Sequence, residues 1–233
     1  MIEPLLELEG VSRRFARGWR RKAVRAVVDV SFQVVPGEIL CLVGPCGAGK
    51  TTLLRICAGQ LAPTSGSVQT ALGAPGGSAG RRTVGFAPAR ATFPPGFTVS
   101  ELLGYTARLA GEAPAAQIAD ALGTAGLVDV MGRRAAALPL ADQRRLLLAL
   151  ATLGGRRLVL FDEPFAGLDA LARRDLSDRL QRLAGRGIGI VVSASDPAGL
   201  ERSIDRVIVL DQGRVVCIAA APALQTKIGR AHV

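Results

Sequence analysis

Apolar residues fall into short alternating or continuous runs separated by longer helical patterns, the rhythm of an α/β domain. Residues 5–11 alternate and predict a strand at an edge or in a hairpin; residues 27–35 alternate again and stop at Pro36-Gly37. Residues 39–43 (Ile-Leu-Cys-Leu-Val) and 158–161 (Leu-Val-Leu-Phe) are continuously apolar, as expected of strands buried on both faces. Residues 188–192 predict another strand, and 207–210 and 215–218 a hairpin around Asp211-Gln212-Gly213-Arg214.

Helical spacing begins near Gly49. It returns after the capping box Thr98-Val99-Ser100-Glu101, with Leu102, Tyr105 and Leu109 expected on one face. It continues over 115–122 and over 141–153, where Gly154-Gly155 ends it, and Leu176, Leu180 and Leu183 mark a further amphipathic helix. Residues 71–82, rich in Gly, Ala and Ser, predict a loose hairpin loop. No internal repeat is evident. The expected architecture is an alternating α/β fold with an antiparallel start and a helical insert over about residues 90–155.

Composition narrows the function classes. With 49% apolar residues in 233, the chain can bury a core, which excludes a disordered protein, and its length suits one large domain or two small ones. Aromatics at 4% argue against a reader of single-stranded nucleic acid, which stacks bases on Phe, Tyr and Trp. The longest nearly unbroken apolar stretch, 146–153, is too short to span a bilayer, and Glu3, Glu7 and Glu9 interrupt any leader-like pattern. Cys41, Cys46, Cys57 and Cys217 form no CxxC pair and the chain has one His, so no zinc or disulfide framework is expected and a reducing cytoplasm is the default. The net charge is +10, carried by 26 Arg and 3 Lys, a bias we read as compositional. Arg13, Arg14, Arg17, Arg20, Arg21, Lys22 and Arg25 crowd together. Lipid headgroups or nucleic acid would suit such a run, but without periodic or aromatic support it reads as a solvated loop.

Two motifs carry chemistry. Gly44-Pro45-Cys46-Gly47-Ala48-Gly49-Lys50-Thr51 matches GxxxxGK[ST] in full, after a buried strand and before a helix. Its glycines let backbone N–H groups turn inward as an anion nest, and the helix adds its positive end. Lys50 is placed to reach the outer phosphates of a nucleotide and Thr51 to ligate Mg²⁺, with Thr52 next to them as a further nucleotide-binding residue. Asp162 and Glu163 end the 158–161 run: Asp162 would hold the Mg²⁺, and Glu163 could polarise an attacking water.

Over about residues 5–224 these features resemble the ATP-binding-cassette (ABC) family. The likeness rests on the phosphate loop, the acid strand, Pro63-Thr64-Ser65-Gly66, and Gly167-Leu168-Asp169 after Glu163-Pro164. It implies a P-loop NTPase (RecA-like) core with an N-terminal antiparallel β subdomain and an inserted helical subdomain. It also implies ATP and Mg²⁺ as cofactors and Glu163 as the catalytic carboxylate. Phe15 sits where the family stacks an aromatic on adenine, and Asp169 where it communicates across a dimer. The implied partners are an integral membrane permease and a second cassette, in a homo- or heterodimer, with no nucleic acid. The implied location is peripheral, on the cytoplasmic face of the membrane. The segment 98–111, with its Glu-Leu-Leu-x-Tyr-x-Ala-Arg-Leu-Ala-Gly pattern, looks like the branch that exports drugs, polysaccharides and lipids. A soluble family member acting on ribosomes or DNA would usually carry two cassettes or a long insertion.

The chain departs from the family at its γ-phosphate contacts. Where the family has Leu-Ser-Gly-Gly-Gln, this sequence has Leu138-Pro139-Leu140-Ala141-Asp142, 24 residues from Leu138 to Asp162, with Gln143-Arg144-Arg145 and Ala149 in register behind it. Pro139 lacks both hydroxyl and N–H, Leu140 and Ala141 replace glycines, and Asp142 brings negative charge. Ala89 stands at the family's Q-loop Gln, and Ser195 at its switch His, where a hydroxyl is no base near neutral pH. Nucleotide binding should survive. Turnover by the chain alone should be weak or absent, since each lost transition-state contact typically costs about a hundredfold or more. The alternative is a non-hydrolysing, regulatory nucleotide-binding partner of a competent cassette.

Finally, Lys227-Ile228-Gly229-Arg230-Ala231-His232-Val233 can be encoded by AAG ATC GGA AGA GCA CAC GTC. The string AGATCGGAAGAGC within it resembles a short-read sequencing adapter. Residues 227–233 are therefore expected to be read-through beyond a single cassette domain over 1–226.

Overall fold

A computed structural model describes residues 3–17, 21–109, 111, 115–196 and 203–220. Residues 227–233, including His232, lie outside the described residues, as does Arg20. The chain runs through β1 (Leu6–Arg17), β2 (Arg21–Val34), β3 (Ile39–Val43), α1 (Lys50–Cys57), β4 (Ser65–Thr70), α2 (Gly80–Thr83) and β5 (Val84–Ala87). It continues through α3 (Val99–Leu109), α4 (Ala115–Ala125), α5 (Leu140–Thr152), β6 (Leu158–Phe161), α6 (Ala170–Gly185), β7 (Gly189–Ala194), β8 (Arg206–Asp211) and β9 (Arg214–Ala220). The fold is α/β, as the alternation of patterns predicts.

The strands form a three-stranded antiparallel sheet, β2-β1-β4, and a six-stranded sheet, β5-β6-β7-β3-β8-β9. The larger sheet is parallel except where β8 and β9 close as a hairpin. Continuous apolar runs make its centre because both faces are covered. Ile39 and Cys41 of β3, and Val159 and Phe161 of β6, face a core shared with α5, α6 and the helical insert. Leu40 and Leu42, and Leu158 and Leu160, face a second core with α1 and the antiparallel sheet. Side chains alternate across a strand, so each run feeds both cores. The insert is α3, α4 and α5 with two 3₁₀ turns at Val128–Val130 and Ala135–Ala137, packed through Leu103, Leu122, Leu127 and Leu146.

The structure departs from the sequence pattern at four places. The basic run is not a loop: Arg13, Arg14 and Arg17 lie on β1, and Arg21, Lys22 and Arg25 on β2. Phe15 faces Val24, and Arg14 faces Arg25. The ladder satisfies the backbone, so an arginine-rich ribbon can extend beyond the apolar alternation that marks its base. Strand β4 was not foreseen, because in Ser-Gly-Ser-Val-Gln-Thr only Val68 supplies an apolar contact, opposite Leu8. The expected loop holds over 71–79, but its last residues, from Gly80, form the short helix α2. On α3 the capping box forms, with Thr98 N–H donating to Glu101 Oε2 at 2.8 Å and Glu101 N–H to Thr98 Oγ1 at 3.3 Å. The buried face is nevertheless Val99, Leu102, Leu103 and Ala107, while Tyr105 and Leu109 are 46% and 71% exposed. Tyr105 packs outside on Phe97, with ring centroids 5.7 Å apart.

Candidate phosphate and metal site

The predicted loop does join β3 to α1, and close approach explains its glycines. A Cβ on Gly44 would lie 2.2 Å from the Leu210 carbonyl oxygen, and one on Gly49 2.2 Å from that of Ala26. Gly49 also takes φ 102°, the left-handed region. Lys50 follows at the first turn of α1 and is 6% exposed. Its ammonium donates to the Gly44 carbonyl at 2.6 Å, the Pro45 carbonyl at 3.3 Å and Ser195 Oγ at 3.1 Å. It also lies 3.2 Å from Glu163 Oε1.

The parallel register of β6 and β7 delivers the carboxylates. Asp162, buried just beyond β6, accepts from Thr51 Oγ1 on Oδ2 at 2.8 Å and from Ser193 Oγ on Oδ1 at 2.6 Å. Glu163 adopts φ 45°, unusual for a residue with a Cβ. Its N–H donates to Ser193 Oγ at 2.8 Å. Its carboxylate accepts from Ser195 Oγ at 2.7 Å on Oε1 and from Ser195 N–H at 3.2 Å on Oε2. The glycine loop, Lys50, Thr51 and Glu163 border a cavity of about 560 Å³, which Val24 and Arg25 also line.

This arrangement suits a phosphate chain and a hard cation. Mg²⁺ keeps several waters and takes one or two carboxylates plus phosphate oxygens, which matches one hydroxyl and one buried carboxylate. Among the described residues no cluster of three or more His, Cys, Asp or Glu side chains could hold a metal without such help. The flanking thiols play no part: burial pushes both Cys41 and Cys57 up to about 12, whereas Cys46 is exposed in the loop itself.

The remaining predicted positions divide. Phe15 is on β1, outside the phosphate cavity. With Arg55 and Phe86 it borders a separate space of about 470 Å³, and Thr52 lines both cavities. The Arg13 guanidinium lies 4.9 Å above the Phe15 ring. Asp169 caps α6, accepting from Ala172 N–H at 2.8 Å. Leu138 is buried, and Pro139 precedes the first turn of α5. Leu140 is 41% exposed, and Ala141 packs against the core. Asp142 is not an uncompensated charge, because Arg145 Nη1 lies 3.1 Å from its carboxylate. The carbonyl of Ala89 accepts from Arg144, a buried guanidinium that also reaches the Ala166 carbonyl at 3.5 Å. Burial lowers the Arg144 pKa, against the pull of Asp162 and Glu163.

Ser195 is engaged at the site, bonded to Glu163 and Lys50. Ser193 joins the site although no motif contains it; its one sequence signal is a Ser inside the buried run Ile190-Val191-Val192-Ser193-Ala194. A hydroxyl in such a strand needs a partner.

A family model described as ABC transporter matches residues 27–166. The chain is 34% identical over 231 residues to the Nod factor export ATP-binding protein I of Paraburkholderia xenovorans (strain LB400), spanning 96% of this chain and 73% of that one. It is 33% identical to the lipoprotein-releasing system ATP-binding protein LolD 1 of Rhodospirillum rubrum, over 93% of this chain and 99% of that one. It is also 33% identical to the spermidine/putrescine import ATP-binding protein PotA of Pseudomonas aeruginosa (strain UCBPP-PA14), over 92% and 59%. Among solved structures, an ATP binding subunit of an ABC transporter superposes with a TM-score of 0.80 at 26% identity, covering 98% of this chain and 95% of that one.

Proposed function

Because the chain belongs to the ABC transporter family, we propose that it is the Mg-ATP-binding subunit of a membrane exporter whose hydrolysis is slow when it acts alone. The family and its named relatives make it an ATP-binding subunit of a membrane transporter, in a family of ATP-hydrolysing enzymes. A membrane permease is then the partner, with the chain peripheral to it on the cytoplasmic face. Among the described residues no helix is long and apolar enough to cross a membrane.

One observation carries the reading of the site: Thr51 meets Asp162 at 2.8 Å and Lys50 meets Glu163 at 3.2 Å beside a single cavity. In the proposed mechanism the loop N–H groups and Lys50 bind the β- and γ-phosphates, Lys50 exchanging Glu163 for phosphate oxygen. Thr51 and Asp162 would hold the Mg²⁺, which when bound neutralises developing phosphate charge. Glu163 would orient the attacking water and accept its proton. Ser195, in this reading, steadies Glu163 but supplies no imidazole.

Slow turnover is supported by what the second half-site would have to use. Pro139 offers no donor and Leu140 projects a side chain where the family has glycine; separately, Ala89 lacks the side-chain amide of the Q-loop Gln. Outward transport is supported by the 98–111 segment and by the relatives named for export and release. The import relative weighs the other way, which makes transport in oriented vesicles with the permease the discriminating measurement. The exposed Leu140 also favours a second reading, a non-hydrolysing partner of a competent cassette.

Mg-ATP hydrolysis by the purified chain, measured beside Glu163→Gln, tests the reading. Turnover abolished in the variant supports a working ATPase. Nucleotide binding without turnover in either protein selects the non-hydrolysing partner. A chain that binds no nucleotide overturns both.

A further inference from the structure

We propose that Ser193 is a positioning residue that sets the metal-binding carboxylate and the catalytic carboxylate relative to each other through one buried hydroxyl. This rests on the reading of Asp162 as the Mg²⁺ carboxylate and Glu163 as the base.

Ser193 Oγ both donates and accepts. It donates its only proton to Asp162 Oδ1 at 2.6 Å and accepts the Glu163 N–H at 2.8 Å. The serine is 0% exposed, so no water competes for either bond. The first bond orients Asp162: with Oδ1 held by Ser193, Oδ2 is the oxygen turned to Thr51, at 2.8 Å. The second acts on the backbone. Glu163 sits at φ 45°, a conformation that residues with a Cβ keep only when their surroundings hold them there. A hydroxyl bonded to its N–H holds it, and that turn sends the Glu163 side chain toward Lys50 and Ser195 rather than along the extension of β6.

The placement follows from strand pairing. Phe161 and Val192 are register partners on parallel β6 and β7, so Asp162, the first residue beyond β6, comes beside Ser193, which is still within β7 and pairs with Leu42 of β3. An Ala would continue the buried run without a polar group in need of a partner. The hydroxyl adds nothing to the apolar core and is accounted for by the two acidic residues beside it.

Support shells of this kind typically change metal affinity 10- to 100-fold when removed. The test is equilibrium binding of a fluorescent ATP analogue to the full chain, in EDTA and across a Mg²⁺ titration, for wild type, Ser193→Ala and Ser193→Thr. In EDTA neither variant should bind more weakly than wild type, because the loop keeps its place and any loosening of Glu163 only relieves its hold on Lys50. The Mg²⁺ concentration giving half of the metal-dependent effect should rise about tenfold or more in Ser193→Ala and return toward wild type in Ser193→Thr, which keeps the hydroxyl. A wild-type Mg²⁺ response in Ser193→Ala overturns the proposal. So does weakened binding of Ser193→Ala in EDTA, which would mark a general packing defect. If the wild type binds nucleotide but shows no Mg²⁺ effect, the metal reading of Thr51 and Asp162 has failed and the proposal falls with it.

Discussion

Replacing Glu163 by Gln should tighten nucleotide binding in the absence of Mg²⁺, before any question of hydrolysis arises. Lys50 is 3.2 Å from Glu163 Oε1, with the two side chains 6% and 24% exposed. At an effective dielectric of 20 the bare attraction is about 5 kcal/mol. Desolvation and partial exposure of Glu163 cut this to a net worth of about 1–2 kcal/mol. A phosphate entering the loop must displace that contact and approach a like charge. Gln keeps the shape and removes the charge, while the Gly44 and Pro45 carbonyls and Ser195 still hold Lys50. Affinity should therefore rise by about 5- to 30-fold, the factor that 1–2 kcal/mol represents. Titration calorimetry with ATP in EDTA measures it directly. Glu163→Ala separates charge removal from the new amide donor, since both variants should bind more tightly. Unchanged or weaker binding in both would refute the idea that Glu163 competes with phosphate for Lys50.

Two further outcomes follow from groups around the site. Burial raises the Asp175 pKa, but the stronger combined effect of Arg179 and Arg145 holds this carboxyl below its ordinary value of 3.8. A folded-state pKa below the unfolded one stabilises above the unfolded value and is lost as pH falls through the folded one. Asp175→Asn should thus cost about 1 kcal/mol at pH 7 and flatten the stability loss below about pH 4; parallel urea curves at pH 7 and pH 3 for both proteins would contradict this. N-ethylmaleimide at neutral pH should label exposed Cys46 well before Cys41 and Cys57, whose thiols burial pushes up to about 12, and bound nucleotide should slow the labelling. Peptide mass spectrometry reads both effects, and labelling insensitive to nucleotide would place the ligand away from the loop.

The elements that position the site were legible because their information is local. The runs Ile39–Val43 and Leu158–Phe161 are short and continuously apolar, as strands covered on both sides are, and the chemistry-bearing residues follow each run directly: the glycine loop after one, Asp162 and Glu163 after the other. The serines were not legible in the same way. Ser193 and Ser195 matter through register with β6, a long-range pairing that no window of sequence contains. In sequence Ser195 stands only as a replacement for imidazole; its bond to the Glu163 carboxylate exists only in the fold. The face of α3 was misjudged because Tyr105 is apolar enough to count toward a stripe, yet it packs outside on Phe97. The arginine ribbon of β1 and β2 was hidden because charge masked its alternation.

The two crowded glycines of the phosphate loop have a thermodynamic consequence. Gly44 is pressed against a carbonyl of β8 and Gly49 against one of β2, so the loop is wedged between the two sheets rather than hanging from its own ends. Fixing a flexible backbone costs about 1–2 kcal/mol per residue at room temperature. Here that ordering is completed when the sheets assemble, not when an anion arrives. The nest is a preformed receptor, and the barrier to entry lies in moving one carboxylate off one ammonium.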